Sequence, residues 1–168
     1  MAGDKGIESL KVWQRGVAFV TMIYNRVLPL LPKEEKWIMG SQLRRAVQSI
    51  PANIAEGYSR FYYQEGVRFA YIARGSTEEA FTYLTLAHNL AYIPDNLYTD
   101  LRSEILELQR LINGYVSFLK RSKRGEHEAG ANLQVREAWP DYETFTQKRK
   151  TLMPDPCSLI TLILETPE

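Results

Sequence analysis

The sequence has few of the residues that most often carry nucleophilic or metal chemistry. It contains one cysteine, Cys157, and two histidines, His88 and His127. A lone cysteine excludes an internal disulfide framework, and no histidine lies near it in sequence to activate the thiol. Neither histidine follows a glutamate at the three-residue spacing that a di-iron helical bundle requires. We therefore predict a protein that is not an enzyme and that holds no metal or other cofactor.

Long apolar runs are also absent. No stretch approaches the roughly 20 apolar residues that a membrane-spanning helix needs, and the first six residues lack the apolar segment of a secretory signal. These absences, together with the single cysteine, favour a cytoplasmic protein that does not contact a membrane. Before residue 125 the sequence also lacks the apolar–polar alternation that is typical of β-strands.

The first apolar pattern has the period of an α-helix. Its members recur at steps of three and four, which keeps them on one face. They are Leu10, Trp13, Val17, Val20, Tyr24, Val27 and Leu31. Pro29 and Pro32 end the pattern, because proline cannot continue the helical hydrogen-bond ladder. We predict a first helix over about residues 8–28, with this stripe against the core.

A second stripe follows Pro32, a residue suited to the first turn of a helix. The stripe consists of Met39, Leu43, Ala46, Ile50 and Ile54. We expect a second helix that begins near Pro32 and bends at Pro51, whose ring would clash with the carbonyl of Val47. Gly57 marks the expected C-terminal end of this helix.

Two further stripes predict a third and a fourth helix. The third carries Phe69, Ile72, Ser76, Ala80, Tyr83, Ala87 and Leu90, and the fourth carries Leu97, Leu101, Ile105, Leu108, Ile112, Tyr115 and Leu119. Four long helices with short links pack as an antiparallel up-down-up-down four-helix bundle, so we predict an all-α fold. The bundle should span residues 1–124, with a linker and an irregular tail over residues 125–168.

The first and third helices are apolar on more than one face. The additional residues are Val12, Phe19 and Ile23 in the first helix and Tyr71, Phe81, Leu84, Ala91 and Tyr92 in the third. A bundle covers only about a third to a half of the circumference of each helix. The surplus either broadens the core or forms an interface between copies of the chain. We favour the interface, because monomers seldom expose large apolar patches.

A polar stripe runs beside the apolar stripe of the second helix, and charged residues of the third helix should pack near it. The set consists of Gln42, Arg45, Ser49, Asn53 and Glu56, with Arg74, Glu78 and Glu79. Since an unpaired buried charge is very costly, we interpret these residues as a structural network that fixes helix register or an interface. The alternative is a ligand site. We interpret the neighbouring Gly75 as a close contact between helices.

Basic and aromatic residues interleave around the link between the second and third helices. The cations are Arg44, Arg60 and Arg68 with Lys120, Arg121, Lys123 and Arg124, and the aromatic residues are Tyr58, Phe61, Tyr62 and Tyr63. Cations can follow a phosphate backbone while aromatic rings stack on bases. Residues 1–124 carry 17 Lys and Arg against 12 Asp and Glu, whereas residues 125–168 carry 4 against 8. The region is a candidate contact for RNA or DNA, the alternative being a solvated face with its aromatic residues turned inward.

Three segments from the second helix carry a resemblance to a known family. They are Pro32-Lys33-Glu34-Glu35-Lys36, Ser41-Gln42-Leu43-Arg44-Arg45-Ala46 and Ser49-Ile50-Pro51-Ala52-Asn53-Ile54-Ala55-Glu56-Gly57. Leu10-Lys11-Val12-Trp13-Gln14 and Tyr71-Ile72-Ala73-Arg74-Gly75-Ser76 extend it over about residues 8–119. In these segments the chain resembles the bacterial four-helix-bundle proteins first noticed as reading frames inside intervening sequences of 23S ribosomal RNA genes.

The resemblance implies a four-helix bundle that assembles into a homopentameric, barrel-like ring. It also implies kinship with the accessory proteins of diversity-generating retroelements, which bind a reverse transcriptase and nucleic acid. We therefore expect a non-enzymatic, ring-forming scaffold or accessory for a protein partner such as a reverse transcriptase. The alternative function is an RNA- or DNA-binding module that uses the basic link between the second and third helices.

Overall fold

Four α-helices account for most of the computed structural model, which describes residues 6–126. They are α1 (Lys11–Arg26), α2 (Met39–Ser59), α3 (Tyr63–Asn89) and α4 (Asp95–Ser122), with 3₁₀ turns at Ile7–Ser9 and Leu28–Leu30. Consecutive helices pack side by side and α1 also packs against α4, which makes an up-down-up-down bundle. No strand occurs within residues 6–126, so the predicted all-α bundle is confirmed. The predicted tail lies outside the described residues from residue 127 onward.

The stripes predicted for the second and fourth helices are the ones that the fold buries. In α2 the buried members are Met39, Leu43, Ala46, Ile50 and Ile54, and in α4 they are Leu97, Leu101, Ile105, Leu108, Ile112 and Tyr115. Each fully buried large aliphatic side chain contributes roughly 1.5–3 kcal/mol by leaving water. α2 continues as one helix through Pro51, so its stripe remains in register with the core along its whole length.

The face that α1 turns to the core agrees only in part with the predicted one. The buried residues in its interior include Val12, Phe19 and Ile23. Val17 and Tyr24 of the predicted stripe are each 38% exposed. Both stripes have helical spacing, and the buried one includes Gly16, where a side-chain carbon would make an ordinary contact of 3.4 Å with Cβ of Pro51 in α2. The prediction is therefore wrong for Val17 and Tyr24, whereas Val27 and Leu31 of the same stripe are buried and Leu10, Trp13 and Val20 pack against the core. The additional residues of this helix broaden the core, so the interface favoured for them is also wrong.

α3 buries a face of small residues instead of the full predicted stripe. Its buried residues include Ala70, Ala73, Ser76, Thr77, Ala80 and Leu84. Ile72 and Leu90, which the prediction assigned to the core, are exposed. Small side chains shorten the distance at which helices pack, so α3 fits between α2 and α4 with this face inward. The predicted core assignment of Ile72 and Leu90 is therefore wrong.

α2 begins at Met39 and not near Pro32. Residues 33–38 form turns, and the carbonyl O of Lys36 accepts a hydrogen bond from Arg44 Nη1 at 2.9 Å. A side chain thus satisfies a carbonyl in the turn that leads into the helix. The prediction is wrong here because Pro32 suits any turn that matches its fixed φ, and not only the first turn of a helix.

Two glycines set the distance between α2 and α3. A side-chain carbon at Gly57 would lie 3.0 Å from Cβ of Phe69 and 3.3 Å from Cα of Gly66. Because α2 continues to Ser59, Gly57 serves a helix crossing and is not the predicted helix end. At Gly75 a side-chain carbon would have no atom within 4 Å. The close contact predicted at Gly75 is therefore wrong, and Gly57 and Gly66 make such a contact instead.

Candidate functional site

The link between α2 and α3 meets the last turns of α4 at one end of the bundle. The backbone N–H of Tyr63 donates to the carbonyl O of Arg124 at 3.1 Å. Gly125 follows with a φ of 80°, and a side-chain carbon there would lie 2.6 Å from Cδ1 of Tyr62. Glycine is therefore required where the chain passes over this ring. The region that we call the linker end comprises residues 57–66 and 115–125.

A cavity of about 510 Å³ opens at the linker end. Its volume is within the range of about 300–1,000 Å³ that is typical of small-ligand sites. Its aromatic lining consists of Tyr58, Phe61, Tyr62, Tyr63, Tyr115 and Phe118. Arg60 and Arg124 also line it. The cavity thus offers flat apolar surfaces beside two permanent positive charges.

The aromatic rings of the cavity differ in their exposure. Phe118 is 58% exposed and Phe61 is 44% exposed, and Phe61 meets Tyr62 edge to face with ring centroids 5.3 Å apart. Tyr115 is buried. Burial raises the pKa of its phenol above the ordinary value, and the neighbouring Tyr58 adds to the rise. The Tyr115 hydroxyl therefore remains protonated at neutral pH and keeps its hydrogen-bond donor.

The two arginines of the cavity lie over aromatic rings. The guanidinium of Arg124 is 5.1 Å from the ring centroid of Phe61. The guanidinium of Arg60 is 5.3 Å from the ring centroid of Phe69, and it also pairs with the carboxylate of Glu56. Contact with a ring restrains the plane of a guanidinium without using its N–H groups. This arrangement suits recognition of an anion next to a flat apolar group.

Several predicted nucleic-acid contacts converge on the linker end. Those that line the cavity are Tyr58, Arg60, Phe61, Tyr62, Tyr63 and Arg124. The last turn and the cap of α4 add Lys120, Arg121 and Lys123. Lys123 Nζ pairs with Glu126 Oε1 at 3.0 Å, and this hydrogen bond raises the pKa of Lys123. Arg44 and Arg68 do not line the cavity, since Arg44 bonds the turn before α2 and Arg68 is exposed on α3.

Two aromatic residues of the cavity, Tyr115 and Phe118, are not among the predicted contacts. The prediction assigned Tyr115 to the core stripe of the fourth helix, and its side chain is indeed buried. Phe118 lies off that stripe and just before the cations of the last turn of α4. An apolar residue off the core stripe and beside a run of cations is a sequence signal that could have identified Phe118.

The predicted polar network divides into two seams. Along α2 and α3, the hydroxyl of Ser76 donates to Oγ of Ser49 at 2.9 Å, and Nδ2 of Asn53 donates to the same oxygen at 2.8 Å. Arg45 pairs with Glu79 in this seam, with Nη2 3.5 Å from Oε1. The Arg45 side chain is 74% exposed, so solvent screens the pair and the cost of an unpaired buried charge does not arise.

The second seam lies between α3 and α4. Nη1 of Arg74 donates to Oδ1 of Asn113 at 3.2 Å, and Oε1 of Glu78 accepts from Nε2 of Gln109 at 2.7 Å. Gln42, the first member of the predicted network, is half-buried in α2. Five of the predicted residues, Arg45, Ser49, Arg74, Glu78 and Glu79, thus bond across two different helix pairs, whereas Asn53 bonds within α2 and Glu56 pairs with Arg60 just after it. Their role in fixing helix register stays a prediction.

Within residues 6–126 the one histidine, His88, contacts a carboxylate and an aromatic ring. Nε2 of His88 lies 2.8 Å from Oδ1 of Asp95, and its ring stacks on Tyr98 with centroids 4.3 Å apart. Within residues 6–126 no group of three His, Cys, Asp or Glu side chains comes together as a metal site. In that same span no helix has the length and apolar character needed to cross a bilayer. His127 and Cys157 lie outside the described residues.

Comparison with solved structures supports the fold. The chain is similar to the crystal structure of a protein of unknown function from the S23 ribosomal protein family of Bacteroides thetaiotaomicron, with a TM-score of 0.58 and 23% sequence identity. The similarity covers 62% of this chain and 97% of that chain. No curated protein matches the sequence.

A match to a protein family covers most of the bundle. Residues 8–114 match the family described as 23S rRNA-intervening sequence protein. The matched span includes all of α1, α2 and α3 and ends one residue before Tyr115 of α4. The kinship with accessory proteins of retroelements stays a prediction. The family itself is established by this match, and the chain belongs to the 23S rRNA-intervening sequence proteins.

Proposed function

We propose that the protein is a non-enzymatic scaffold that assembles as a homo-oligomeric ring and offers a surface to a protein partner. The observation that carries this proposal is the exposed apolar face of α1, which holds Val17 and Tyr24 of the stripe that the sequence assigned to the core. Val17 and Tyr24 are seven residues apart, which puts them on one helical face, and both are exposed in the single chain. Apolar residues at helical period outside the core are typical of a helix that packs against another chain.

Two further features support an interface between copies. Trp37 is 79% exposed and Ile38 is 66% exposed, in the turn before α2. Gly75 is exposed in the interior of α3, where glycine costs roughly 0.5–1 kcal/mol relative to alanine. Close approach of a neighbouring helix would offset that cost. The number of five copies and a reverse transcriptase as the partner rest on the resemblance alone.

Mass measurement of the purified chain tests the assembly. Light scattering after size-exclusion chromatography should give about five times the 19.4 kDa mass of one chain. Val17→Glu combined with Tyr24→Glu should shift the mass towards a single chain, because an unpaired charge is costly to bury. Asn25→Glu is the matched control, since Asn25 is exposed on the same helix and off the stripe. A wild-type chain that stays monomeric at every concentration would contradict the proposal.

A second candidate function, the binding of RNA or DNA, is favoured by the gathering of aromatic rings and cations at the linker end. Arg60 and Arg124 line the same cavity, and three more cations follow in the last turn and cap of α4. Phosphate contacts by such cations release counterions, so affinity must fall as salt rises.

Titration of a labelled oligonucleotide across salt concentrations tests this candidate. Arg60→Ala should lower the slope of log affinity against log salt by about 1, because one phosphate contact is lost. Arg110→Ala is the matched control, since Arg110 is exposed on α4 outside the cavity. Binding that is absent, or that does not weaken with salt, would contradict the candidate.

A further inference from the structure

We infer that the cavity at the linker end receives an unpaired nucleotide of a single-stranded nucleic acid, with the base among the aromatic rings and the phosphate at Arg60 and Arg124. This inference rests on the nucleic-acid candidate and is independent of the homo-oligomer. It assigns a ligand class to this cavity. Part of the lining lies outside the region that matches the family, because Tyr115, Phe118 and Arg124 come after residue 114.

The aromatic rings provide the surface for the base. Phe61 and Phe118 are the two most exposed rings of the cavity. Single exposed apolar residues are common on protein surfaces, but rings that together line one concave site are typical of a binding site. Every base has a flat π-face, so stacking on these rings would hold a base with little preference for its identity.

The arginines provide the site for the phosphate. Arg124 lies over one face of Phe61 at 5.1 Å, which restrains its guanidinium beside a ring that is 44% exposed. Arg60 pairs with Glu56, and both side chains are partly exposed. Exposed ion pairs are weak, so a phosphate can replace the Glu56 carboxylate. A guanidinium can bind two oxygens of one phosphate, which favours arginine in such a site.

The shape of the cavity favours an unpaired base over a duplex. In a duplex the bases are stacked and paired, and a base can enter a cavity only after it is extruded from the stack. A single strand already presents bases that can be turned outward. The protonated hydroxyl of Tyr115 lines the cavity and can donate a hydrogen bond to the edge of such a base.

Fluorescence anisotropy with the full chain tests the inference. The probes are a labelled 12-nucleotide oligouridylate, a labelled 12-base-pair RNA duplex and unlabelled uridine monophosphate as competitor. The single strand should bind at least tenfold more tightly than the duplex, and the mononucleotide should compete only weakly. Phe118→Ala and Phe61→Ala should each weaken single-strand binding by about tenfold or more, in line with the loss of one base-stacking contact.

Two controls isolate the stacking contact. Phe118→Tyr keeps an aromatic face and should retain most of the affinity. Leu90→Ala removes an exposed apolar side chain at the opposite end of the bundle and should leave affinity unchanged. Circular dichroism and light scattering establish that each variant folds and assembles like the wild type, which is expected because Phe61, Phe118 and Leu90 are all exposed.

The outcomes separate the inference from the function on which it rests. If binding depends on salt but is unchanged in Phe118→Ala and Phe61→Ala, the cavity is not the binding site, although the protein still binds nucleic acid. Equal affinity for duplex and single strand would contradict the inference that the cavity receives an unpaired base. If unlabelled uridine monophosphate competes as strongly as the unlabelled oligonucleotide, the ligand is a free nucleotide and not a nucleic-acid strand. Failure to bind any nucleic acid would remove both proposals.

Discussion

The two ends of the bundle display their most exposed apolar residues in different ways. At the linker end the rings surround a cavity and lie beside two arginines. At the other end, which we call the turn end, Trp37 and Ile38 project into solvent. The turn end comprises residues 28–38 and 88–98. A recessed ring offers its face to a flat ligand, whereas a protruding ring can enter a pocket on another protein.

The 28 residues of α4 separate these two surfaces by about 40 Å. One molecule can therefore bind a flat ligand at one end and another protein at the other.

The two ends are also held together differently. At the linker end the backbones of α2 and α3 approach at Gly57 and Gly66. At the turn end side chains make the connection, because His88 pairs with Asp95 and stacks on Tyr98. Close backbone packing tolerates no added atom, whereas a partly exposed side-chain cluster can lose one member and relax. Substitutions should therefore cost more stability at the linker end than at the turn end.

The largest effect is expected from Gly57→Ala. The new methyl would lie 3.0 Å from Cβ of Phe69, and the resulting overpacking should destabilise the fold by about 1–3 kcal/mol. Gly114→Ala in α4 is the matched control, since a side-chain carbon there has no atom within 4 Å, and it should raise helix stability by about 0.5–1 kcal/mol. Urea unfolding followed by circular dichroism measures both changes. Similar effects of the two substitutions would refute the close approach at the linker end.

A smaller loss is expected from His88→Ala at the turn end. The substitution removes the ring stacking on Tyr98 and the contact with Asp95, whose side chain is almost fully exposed. The expected loss in the free energy of unfolding is about 0.5–1 kcal/mol, and nucleic-acid affinity should not change. Asn89→Ala, at the next and exposed position, serves as the control. A loss larger than that of Gly57→Ala would reverse the ranking of the two ends.

Trp37→Ala should leave the stability of the single chain almost unchanged. The ring is largely exposed, and substitutions at exposed positions usually alter stability by less than about 0.5 kcal/mol. If the turn end contacts another protein, the same substitution should reduce the assembled mass or the capture of the partner, while Phe118→Ala should not. A loss of both properties in one variant would show that the two ends do not act separately.

The smallest effect concerns Tyr115 and alkaline pH. Its pKa in the folded chain is raised above the ordinary value of 10.0, so the unfolded chain releases this proton at a lower pH than the folded chain. The contribution of Tyr115 is complete below the pKa of the unfolded state and is lost as the pH rises through the folded pKa. Unfolding at several pH values above about 9 should show a steeper decline for the wild type than for Tyr115→Phe. Parallel curves would contradict the assigned burial.

The periodicity of apolar residues predicted the four helices well, but it predicted which face turns towards the core for only two of them. The stripes of α2 and α4 agree with the buried residues, because in these helices the large apolar side chains occupy only one face. α1 has two adjoining apolar faces, and the core takes Phe19 and Ile23 while Val17 and Tyr24 stay exposed. α3 is buried through small residues such as Ala73 and Ala80, which a search for large apolar residues ranks low. Helix rotation depends on tertiary packing that the spacing of residues does not contain.

The candidate site was predicted in part for a similar reason. Arg60, Tyr62 and Tyr63 are neighbours in sequence, and their interleaving indicated a contact surface. Phe118 joins them only because α4 returns antiparallel to the linker and because its rotation turns this ring towards the cavity. The first condition follows from the predicted topology. The second requires coordinates, since a shift of one residue turns a side chain by about 100° around the helix axis.

Gly57 and Gly66 belong to the helix crossing and to the lining of the cavity at once. The cavity therefore borders the crossing itself, and a side-chain carbon at Gly66 would lie 3.2 Å from Cδ1 of Leu119, another residue of the lining. Any larger residue at either glycine would push α2 from α3 and displace part of the lining in the same step. The packing of the crossing and the shape of the cavity thus depend on the same two residues, and neither property can change there without the other.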